Sequence, residues 1–397
     1  MEPSTASTPL ADSALELTLE PITLETFFEK HWEREPLFVS RSDPSRFEKI
    51  FSLAEAERIV SQSAIRTPAI RLVRNGATIP ASNYTHDRAW GAGSFTGLAR
   101  VDRVAEEYAA GATIVLHALQ FNWHPAAVYC RDLARSLGCN VQANAYWTPA
   151  TAQGFNVHHD THDVFILQLA GRKRWRIYEP VVELPLKDQK WKHGSDDAGA
   201  PVDEVVLEPG DTLYLPRGCP HDANAEEGDS LHLTIGLHLL TRLDAVKAAL
   251  EECGDDVEFR RSVGADGALP PDLLDTLTAR LAPEQVAQRA RRHLIDRFDP
   301  VLDDQLAQVR DLDELGVNDP LVKRSTVVSE LQESETETVL RFEGKELKFP
   351  AQASEAVAGA HAAEGEFTAA DLPGVLDDPG RLVFVRRLVR EGFLRRV

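Results

Sequence analysis

A series of short β-rich runs between residues 69 and 240 constrains the fold of this chain more than any other feature. The runs are rich in β-branched and aromatic residues and are separated by Gly, Pro and Asp, a pattern typical of the strands of a sandwich or barrel. The clearest are ATIVLHAL (112–119), DVFILQLA (163–170), RKRWRIY (172–178), DEVVLE (203–208), DTLYLP (211–216) and SLHLTIGLHLL (230–240). We therefore predict a mainly β protein with additional α-helices.

Helical patterns lie on both sides of the β-rich region. Residues 22–31 and 52–62 carry apolar side chains at helical spacing, and the chain becomes helical again after residue 240. Further on, a hairpin with its turn at Glu343–Gly344 is mixed with helices, a succession similar to a small winged-helix module. These patterns divide the chain into a disordered lead-in at 1–20, a β domain at 21–240, a helical domain at 241–318 and a winged-helix-like module at 319–397.

The charge of the chain restricts its partners. Its 43 Lys and Arg residues and 63 Asp and Glu residues give a formal net charge of −20. Nucleic-acid binders present a basic face, so direct nucleic-acid binding is not expected, whereas a basic macromolecular partner or plain solubility fits this charge. No segment approaches the roughly 20 apolar residues that span a bilayer, and the N-terminus lacks the pattern of a secretory signal. We expect a cytoplasmic protein without membrane contact.

The segment FNVHHDTHDVF (155–165) indicates a metal site. If it is a strand, residues 158, 160 and 162 share one face, so that His158 and Asp160 form an H-x-D pair able to hold one ion. A second segment, EPGDTLYLPRGCPHDAN (208–224), has the spacing G-x5-P-x-G-x2-H of the second half of a cupin-type metal signature and brings in His221. Two histidines and one carboxylate on one face of a metal are the ligand set of non-haem Fe(II) oxygenases.

An isolated H-x-D tripeptide is weak evidence, because many chains carry one by chance. Its combination with the second segment favours the metal site. His159, His162 and Asp163 are interpreted as groups that either support the ligands from behind or line the pocket. Of these, His162 shares the face of the H-x-D pair and is the alternative for a coordination position.

Lys173 is predicted to point inward. In RKRWRIY the arginines at 172, 174 and 176 occupy one face of the strand, which leaves Lys173, Trp175 and Ile177 on the buried face. A buried cation needs an anion. Two interpretations stay open: a structural salt bridge to an Asp or Glu, or a contact with the distal carboxylate of a dicarboxylate cosubstrate.

Together these motifs resemble the JmjC-type 2-oxoglutarate oxygenases and, among them, the ribosomal oxygenases. The resemblance rests on residues 144–180 and 207–223, with a weaker part in FFEKHWEREPLFV (27–39). It implies a double-stranded β-helix, the jelly-roll or cupin fold, for an oxygenase domain at 21–240. It also implies that the helical domain forms a homodimer and that a winged-helix-like module follows.

The resemblance further implies the chemistry of the site. His158, Asp160 and His221 would be the iron ligands, and Lys173 would bind the C5-carboxylate of 2-oxoglutarate. With 2-oxoglutarate and O2 as cosubstrates, bound Fe(II) supplies hydroxylation of an unactivated C–H bond, while the protein positions the target carbon.

The same resemblance assigns two further residues and shows one departure. Asn144 falls on an asparagine that some members keep beside the metal and the cosubstrate, and Tyr146 would line the pocket. Some relatives carry a serine where this chain has Gly236. Thr234 has the same parity in the strand and is the candidate to supply that hydroxyl to the cosubstrate.

The expected function is hydroxylation of a protein side chain, at the β-carbon of an Arg or a His in a ribosomal protein. Ribosomal proteins are basic, so they suit an acidic enzyme. Two alternatives stay open. One is a tailoring hydroxylase that acts on a peptide natural product with the same iron chemistry, and the other is a non-catalytic cupin scaffold that holds zinc or no metal.

Overall fold

The structure is a computed structural model, and it describes residues 13–192, 196–263, 265 and 267–397. Contacts within the chain divide it into two compact units. The first comprises Met1–Leu137 and Val141–Leu239, and the second comprises Gly138–Asn140 and Leu240–Val397. None of the helices within the described ranges has the length and apolar character that a bilayer crossing requires.

The first unit consists mainly of strands, with helices at its N-terminal side. Its strands are β1 (Leu37–Val39), β2 (Ile70–Arg74), β3 (Ala77–Thr78), β4 (Thr85–Trp90), β5 (Gly93–Ala99), β6 (Thr113–Leu116), β7 (Asn140–Thr148), β8 (Asp163–Ala170), β9 (Lys173–Ile177), β10 (Asp203–Leu207), β11 (Thr212–Leu215), β12 (His221–Ala225) and β13 (Ser230–His238). Its helices are α1 (Ala14–Leu19), α2 (Leu24–Thr26), which continues as a π-helical turn at Phe27–His31, α3 (Leu53–Gln62), α4 (Val101–Ala109) and α5 (His124–Leu137).

Two sheets pack face to face in this unit. The larger has eight strands in the order β1-β11-β8-β13-β7-β6-β2-β3, and the smaller has the order β10-β9-β12. Their inner faces meet in one apolar cluster, in which Val164 and Ile166 of β8 lie with Trp175 and Ile177 of β9. Full burial of an aliphatic side chain of this size contributes about 1.5–3 kcal/mol. The mainly β fold with added helices is therefore confirmed.

The predicted strands are confirmed, and so is the prediction that Lys173 lies on the buried face of β9. All six β-rich runs contain an observed strand, namely β6, β8, β9, β10, β11 and β13. Along β9 the side chains of Lys173, Trp175 and Ile177 are buried, while Arg174 is exposed. The alternation of the strand therefore directs Lys173 into the space between the sheets.

The prediction of a disordered lead-in at 1–20 is wrong for its last residues. Ser13 caps helix α1 in a capping box with Glu16, and Leu15 and Leu19 of that helix are buried. The capping box S-x-x-E before apolar residues was readable in the sequence. Residues 1–12, the rest of that predicted lead-in, lie outside the described residues.

The second unit combines helices with two small sheets. Its helices are α6 (Arg242–Glu251), α7 (Pro271–Arg280), α8 (Pro283–Asp296), α9 (Gln305–Arg310), α10 (Ser354–Ala362) and α11 (Asp378–Glu391). Its strands are β14 (Leu321–Lys323), β15 (Ser329–Glu333), β16 (Glu337–Phe342), β17 (Lys345–Pro350) and β18 (Leu394–Arg396), with sheet orders β15-β16-β17 and β14-β18. Side chains from α10, α11 and both sheets form its core, for example Phe342 against Phe393.

The predicted hairpin of the second unit is confirmed. Strands β16 and β17 pair in antiparallel register up to Phe342 opposite Lys345. The two residues of the turn, Glu343 and Gly344, have φ angles of 49° and 72°. A two-residue turn with positive φ at both positions matches the right-handed twist of the flanking strands.

Candidate metal centre

Three backbone hydrogen bonds join the two segments that carry the predicted ligands. The amide of His158 donates to the carbonyl of His221 (3.2 Å), and the amide of His221 donates to the carbonyl of His158 (2.8 Å). The amide of Gly218 donates to the carbonyl of Asp160 (2.9 Å). The turn after β11 is thereby fixed against the segment that precedes β8.

The local structure of residues 158–162 differs from the prediction. They do not form a continuous strand, because β8 begins only at Asp163, and His158 makes a single isolated bridge with His221. The parity argument that grouped residues 158, 160 and 162 is therefore wrong. The H-x-D pair nevertheless converges, because the backbone is held at His158 and again at Asp160.

The structure brings His158, Asp160 and His221 together. One ligand atom from each lies within 4.8 Å of the other two, and within the described ranges these residues form the one such group of His, Cys, Asp or Glu. The two imidazole centroids are 4.7 Å apart. Two nitrogen donors and one carboxylate oxygen that converge in this way fit a divalent transition metal.

Both imidazoles are oriented by the backbone. Nδ1 of His158 donates to the carbonyl of Asn156 (2.8 Å), and Nδ1 of His221 donates to the carbonyl of Cys219 (3.1 Å). A carbonyl can only accept, so Nδ1 carries the proton in each ring, and the lone pair is on Nε2. Such a hydrogen bond to the far nitrogen fixes the tautomer that metal-binding histidines need.

The protonation states also suit a cation. Burial lowers the pKa of His221 to about 4, assisted by the neighbouring His158, so its imidazole is neutral at neutral pH. Burial of Asp160 opposes its ionisation, but the surrounding histidines, first of all His158, lower the pKa of this carboxyl below its usual range. Asp160 therefore presents a carboxylate, and His221 presents an uncharged imidazole nitrogen.

His159 and Asp163 point away from this group. His159 is buried, its Nε2 donates to the carbonyl of Gln189 (3.0 Å), and its ring meets the edge of Trp191. The carboxylate of Asp163 accepts hydrogen bonds from the hydroxyl of Tyr214 and from the guanidinium of Arg217. Both residues stabilise the segments behind the site, and neither lines its cavity. Of the two roles expected for them, the supporting one is compatible with the structure and the pocket-lining one is wrong.

His162, the alternative ligand, is also outside the group and the cavity lining. Its ring stacks on His238 with centroids 4.7 Å apart. A Cβ atom at Gly236 would lie 2.8 Å from Cδ2 and Nε2 of His162. The glycine therefore makes room for this imidazole, and a serine at position 236 would require His162 to move.

A cavity of about 250 Å³ opens onto the three converging residues. Its lining includes the predicted residues Lys173, Tyr146 and Thr234. Asn144 does not belong to the lining. Its side-chain oxygen accepts hydrogen bonds from the amide of Ala118 (3.0 Å) and the side chain of Gln142 (3.2 Å). The structure thus places three of the four predicted cosubstrate residues at the cavity.

Lys173 lies inside the cavity and is only 4% exposed. Its ammonium group donates to the hydroxyl of Thr148 (3.1 Å). Within the described ranges it forms no ion pair with a carboxylate, so the structural salt bridge that the sequence left open has no partner there. Burial lowers the pKa of this lysine to about 7.

Two cavity residues, His232 and Arg71, were missed in the sequence. The ring of His232 stacks on Tyr146 (5.0 Å) and meets the edge of Trp175 (5.4 Å). Burial, assisted by the charge of Lys173, lowers the pKa of His232 well below its usual value, so it is neutral. His232 lies on the same face of β13 as Thr234, and this alternation could have indicated it in the sequence. Nothing in the sequence indicated Arg71.

Comparison with known proteins identifies the class. Residues 116–244 match the JmjC domain family, and the chain belongs to the JmjC-domain proteins. It is a homologue of the ribosomal oxygenases. Ribosomal oxygenase 1 from Bos taurus is 34% identical over 325 residues, which cover 73% of this chain and 47% of that protein.

A second relative supports this assignment, and a solved structure supports the fold. A bifunctional lysine-specific demethylase and histidyl-hydroxylase from Dictyostelium discoideum is 30% identical over 328 residues, which cover 79% of this chain and 59% of that protein. The chain spans about half the length of the curated relatives it matches. The Escherichia coli ribosomal oxygenase YcfD, solved with cobalt and succinic acid, aligns with a TM-score of 0.54 at 19% identity over 95% of this chain and 98% of that one. This likeness shows a shared cupin-type fold.

We expect Lys173→Met to change how stability depends on pH. The pKa of Lys173 is lowered from 10.5 to about 7 in the folded protein, so between these pH values the unfolded chain binds more protons. The free energy of unfolding of the ligand-free protein therefore rises with pH in this window through Lys173, and the variant lacks that rise. Urea unfolding of both proteins across the window measures it.

The control for this experiment is Arg174→Met, which changes the next residue on the exposed face of β9. An arginine does not titrate in this window, so the control should keep the pH slope of the wild type. Identical slopes for the wild type and Lys173→Met would contradict the lowered pKa.

Proposed function

We propose that this protein is an Fe(II)- and 2-oxoglutarate-dependent oxygenase that hydroxylates a protein side chain. The observation that carries the proposal is the convergence of His158, Asp160 and His221, with both Nδ1 atoms engaged by backbone carbonyls. These three residues would hold Fe(II). Bound iron, with 2-oxoglutarate and O2, supplies hydroxylation of an unactivated C–H bond. The Escherichia coli homologue has been solved with cobalt and 2-oxoglutarate.

The cavity residues support 2-oxoglutarate as the cosubstrate. Lys173 would bind the C5-carboxylate through a charge-assisted hydrogen bond, which would supply an anion to a buried lysine that forms no ion pair within the described ranges. The hydroxyl of Thr148, already 3.1 Å from the ammonium group, orients it. Burial, assisted by Asp160, raises the pKa of Tyr146, so its phenol stays protonated and can donate a hydrogen bond. Thr234 offers a further hydroxyl, and Asn144 would act only indirectly.

A non-catalytic cupin scaffold explains these features less well. A lysine buried without a carboxylate costs stability, and a scaffold gains nothing from that cost. The neutral His232 beside Lys173 is a second polar side chain in the same cavity, and its buried Nδ1 has no hydrogen-bond partner among the described residues. Polar groups left unsatisfied in a cavity are expected where a polar ligand completes them.

We propose a ribosomal protein as the substrate, hydroxylated at the β-carbon of an Arg or a His. The names of the relatives support this choice, since they include ribosomal oxygenases and a histidyl-hydroxylase. The net charge of −20 suits a basic substrate. A cytoplasmic location follows from this substrate. A peptide natural product is the alternative, because the same cavity would serve it.

We also propose the domain organisation that the sequence predicts: an oxygenase domain at 21–240, a dimerisation domain at 241–318 and a winged-helix-like module at 319–397. Helix α6 supports a homodimer. Its side chains Leu243, Val246 and Leu250 recur at helical spacing and are 41%, 38% and 45% exposed. An apolar stripe of this kind is typical of a surface that a partner covers.

We expect His158→Ala and Asp160→Ala to abolish 2-oxoglutarate turnover and to weaken metal binding by more than about 100-fold, because each removes one of three ligands. Succinate formation and bound metal, measured by mass spectrometry after dialysis, report the two effects. His159→Ala is the control, since its side chain contacts Gln189 and Trp191 instead. Equal loss in all three variants would show that the metal is held by another set of residues.

The substrate is tested by intact masses of ribosomal proteins from the source organism with and without the gene. We expect one ribosomal protein to be lighter by one oxygen, about 16 Da, in the deletion strain. Complementation with the wild-type gene should restore the mass, and complementation with the Asp160→Ala gene should not. Unchanged masses throughout would reject a ribosomal substrate and favour the peptide alternative.

The homodimer is tested by sedimentation equilibrium. The wild type is expected at about twice the 43.9 kDa of one chain, and Val246→Glu is expected near the single-chain mass, because a buried charge opposes association. Val383→Glu is the control, since Val383 is 71% exposed on α11, in the winged-helix-like module. A monomeric wild type would contradict the proposal.

A further inference from the structure

Arg71 is a second cation at the same cavity, and the proposed chemistry does not use it. It lies on β2, where it pairs with Val115 of β6, and Val115 pairs in turn with Tyr146 of β7. Residues directly opposite each other in neighbouring strands share one face of the sheet. Arg71 therefore faces inward with Tyr146, and both line the cavity that holds the predicted metal ligands.

Arg71 has no acidic partner among the residues that the structure describes. Within the described ranges it forms no ion pair, and its buried Nε has no hydrogen-bond partner. Arg74, which ends the same strand, pairs instead with Glu107 (3.2 Å). An arginine held at a cavity without a carboxylate is costly unless a ligand provides the anion.

The surroundings of Arg71 parallel those of Lys173. The guanidinium of Arg71 lies 5.4 Å from the centre of the Phe155 ring, which is 5.8 Å from the ring of His158. On the other side the ammonium of Lys173 lies 5.9 Å from the Trp175 ring, which is 5.8 Å from the ring of His221. Each metal-binding imidazole thus has an aromatic neighbour that carries a cation.

We propose that Arg71 binds a carboxylate in this cavity, separate from the one bound by Lys173. A planar guanidinium accepts a carboxylate in two parallel hydrogen bonds, which makes it a selective partner for this group. Two sources can supply the carboxylate: the end of 2-oxoglutarate nearer the metal, or an acidic side chain of the substrate. The first source rests on the proposed function, and the second requires only the cavity.

The experiment measures binding by calorimetry to the protein loaded with Mn(II), without O2. The variants are Arg71→Gln, which removes the charge, and Arg71→Lys, which keeps it. Arg74→Gln is the matched control, because it removes an arginine of the same strand that already has a carboxylate partner. The first probe is 2-oxoglutarate. The second is a comparison of two small amides, N-acetyl-aspartate amide and N-acetyl-asparagine amide, whose binding is measured with 2-oxoglutarate present. Thermal melts verify that each variant is folded.

If the carboxylate belongs to the cosubstrate, Arg71→Gln weakens 2-oxoglutarate binding by about 10- to 100-fold, Arg71→Lys restores part of it, and Arg74→Gln has no effect. If it belongs to the substrate, 2-oxoglutarate binds normally and the preference for the aspartate probe disappears in Arg71→Gln. Unchanged binding of both probes by a folded Arg71→Gln protein overturns the proposal. A wild type that binds no 2-oxoglutarate refutes the proposed function instead, and the aspartate probe, added alone, then decides on Arg71.

Discussion

The reciprocal pair of backbone hydrogen bonds between His158 and His221 is the constraint on which the site depends. These residues lie on segments separated by β8, β9, β10 and β11, and neither segment holds a complete ligand set. The paired backbones fix the positions of the two Cα atoms. The carbonyl two residues before each histidine accepts a hydrogen bond from its Nδ1 and so fixes the orientation of the ring. The hydrogen bond from the amide of Gly218 to the carbonyl of Asp160 holds the third candidate ligand. The candidate metal centre is thus positioned by main-chain geometry.

Around this centre the cavity holds two basic side chains, Lys173 and Arg71, that form no ion pair within the described ranges. Lys173 is buried beside the neutral His232, and Arg71 lies behind Phe155. Together with a divalent cation, this arrangement would be unfavourable in an empty cavity, and it becomes favourable once carboxylates enter. The surface and the cavity therefore favour different partners. The net charge of −20 favours a basic macromolecule at the surface, and the basic side chains of the cavity favour a small acid.

Much of the site could be predicted because its signals are local. The spacing G-x5-P-x-G-x2-H placed His221 after a turn, and alternation in RKRWRIY placed Lys173 inside. The strand assumed for residues 158–162 was wrong, yet His158 and Asp160 still converge with His221, since both residues are held by backbone bonds to the 218–221 segment. The helix at 14–19 was missed although its capping box was visible.

The sequence by itself determined the fold class, the candidate ligand residues and the inward direction of Lys173, because periodicity and short spacings depend on neighbours along the chain. Only the tertiary structure decided which polar groups share the cavity. The register of β2, β6 and β7 places Arg71 at the cavity. The imidazole of His162 lies against Gly236 and outside the ligand group. The side chain of Asn144 lies outside the cavity and accepts a hydrogen bond from the amide of Ala118. Such pairings join residues far apart in the chain, and their geometry depends on how whole sheets pack.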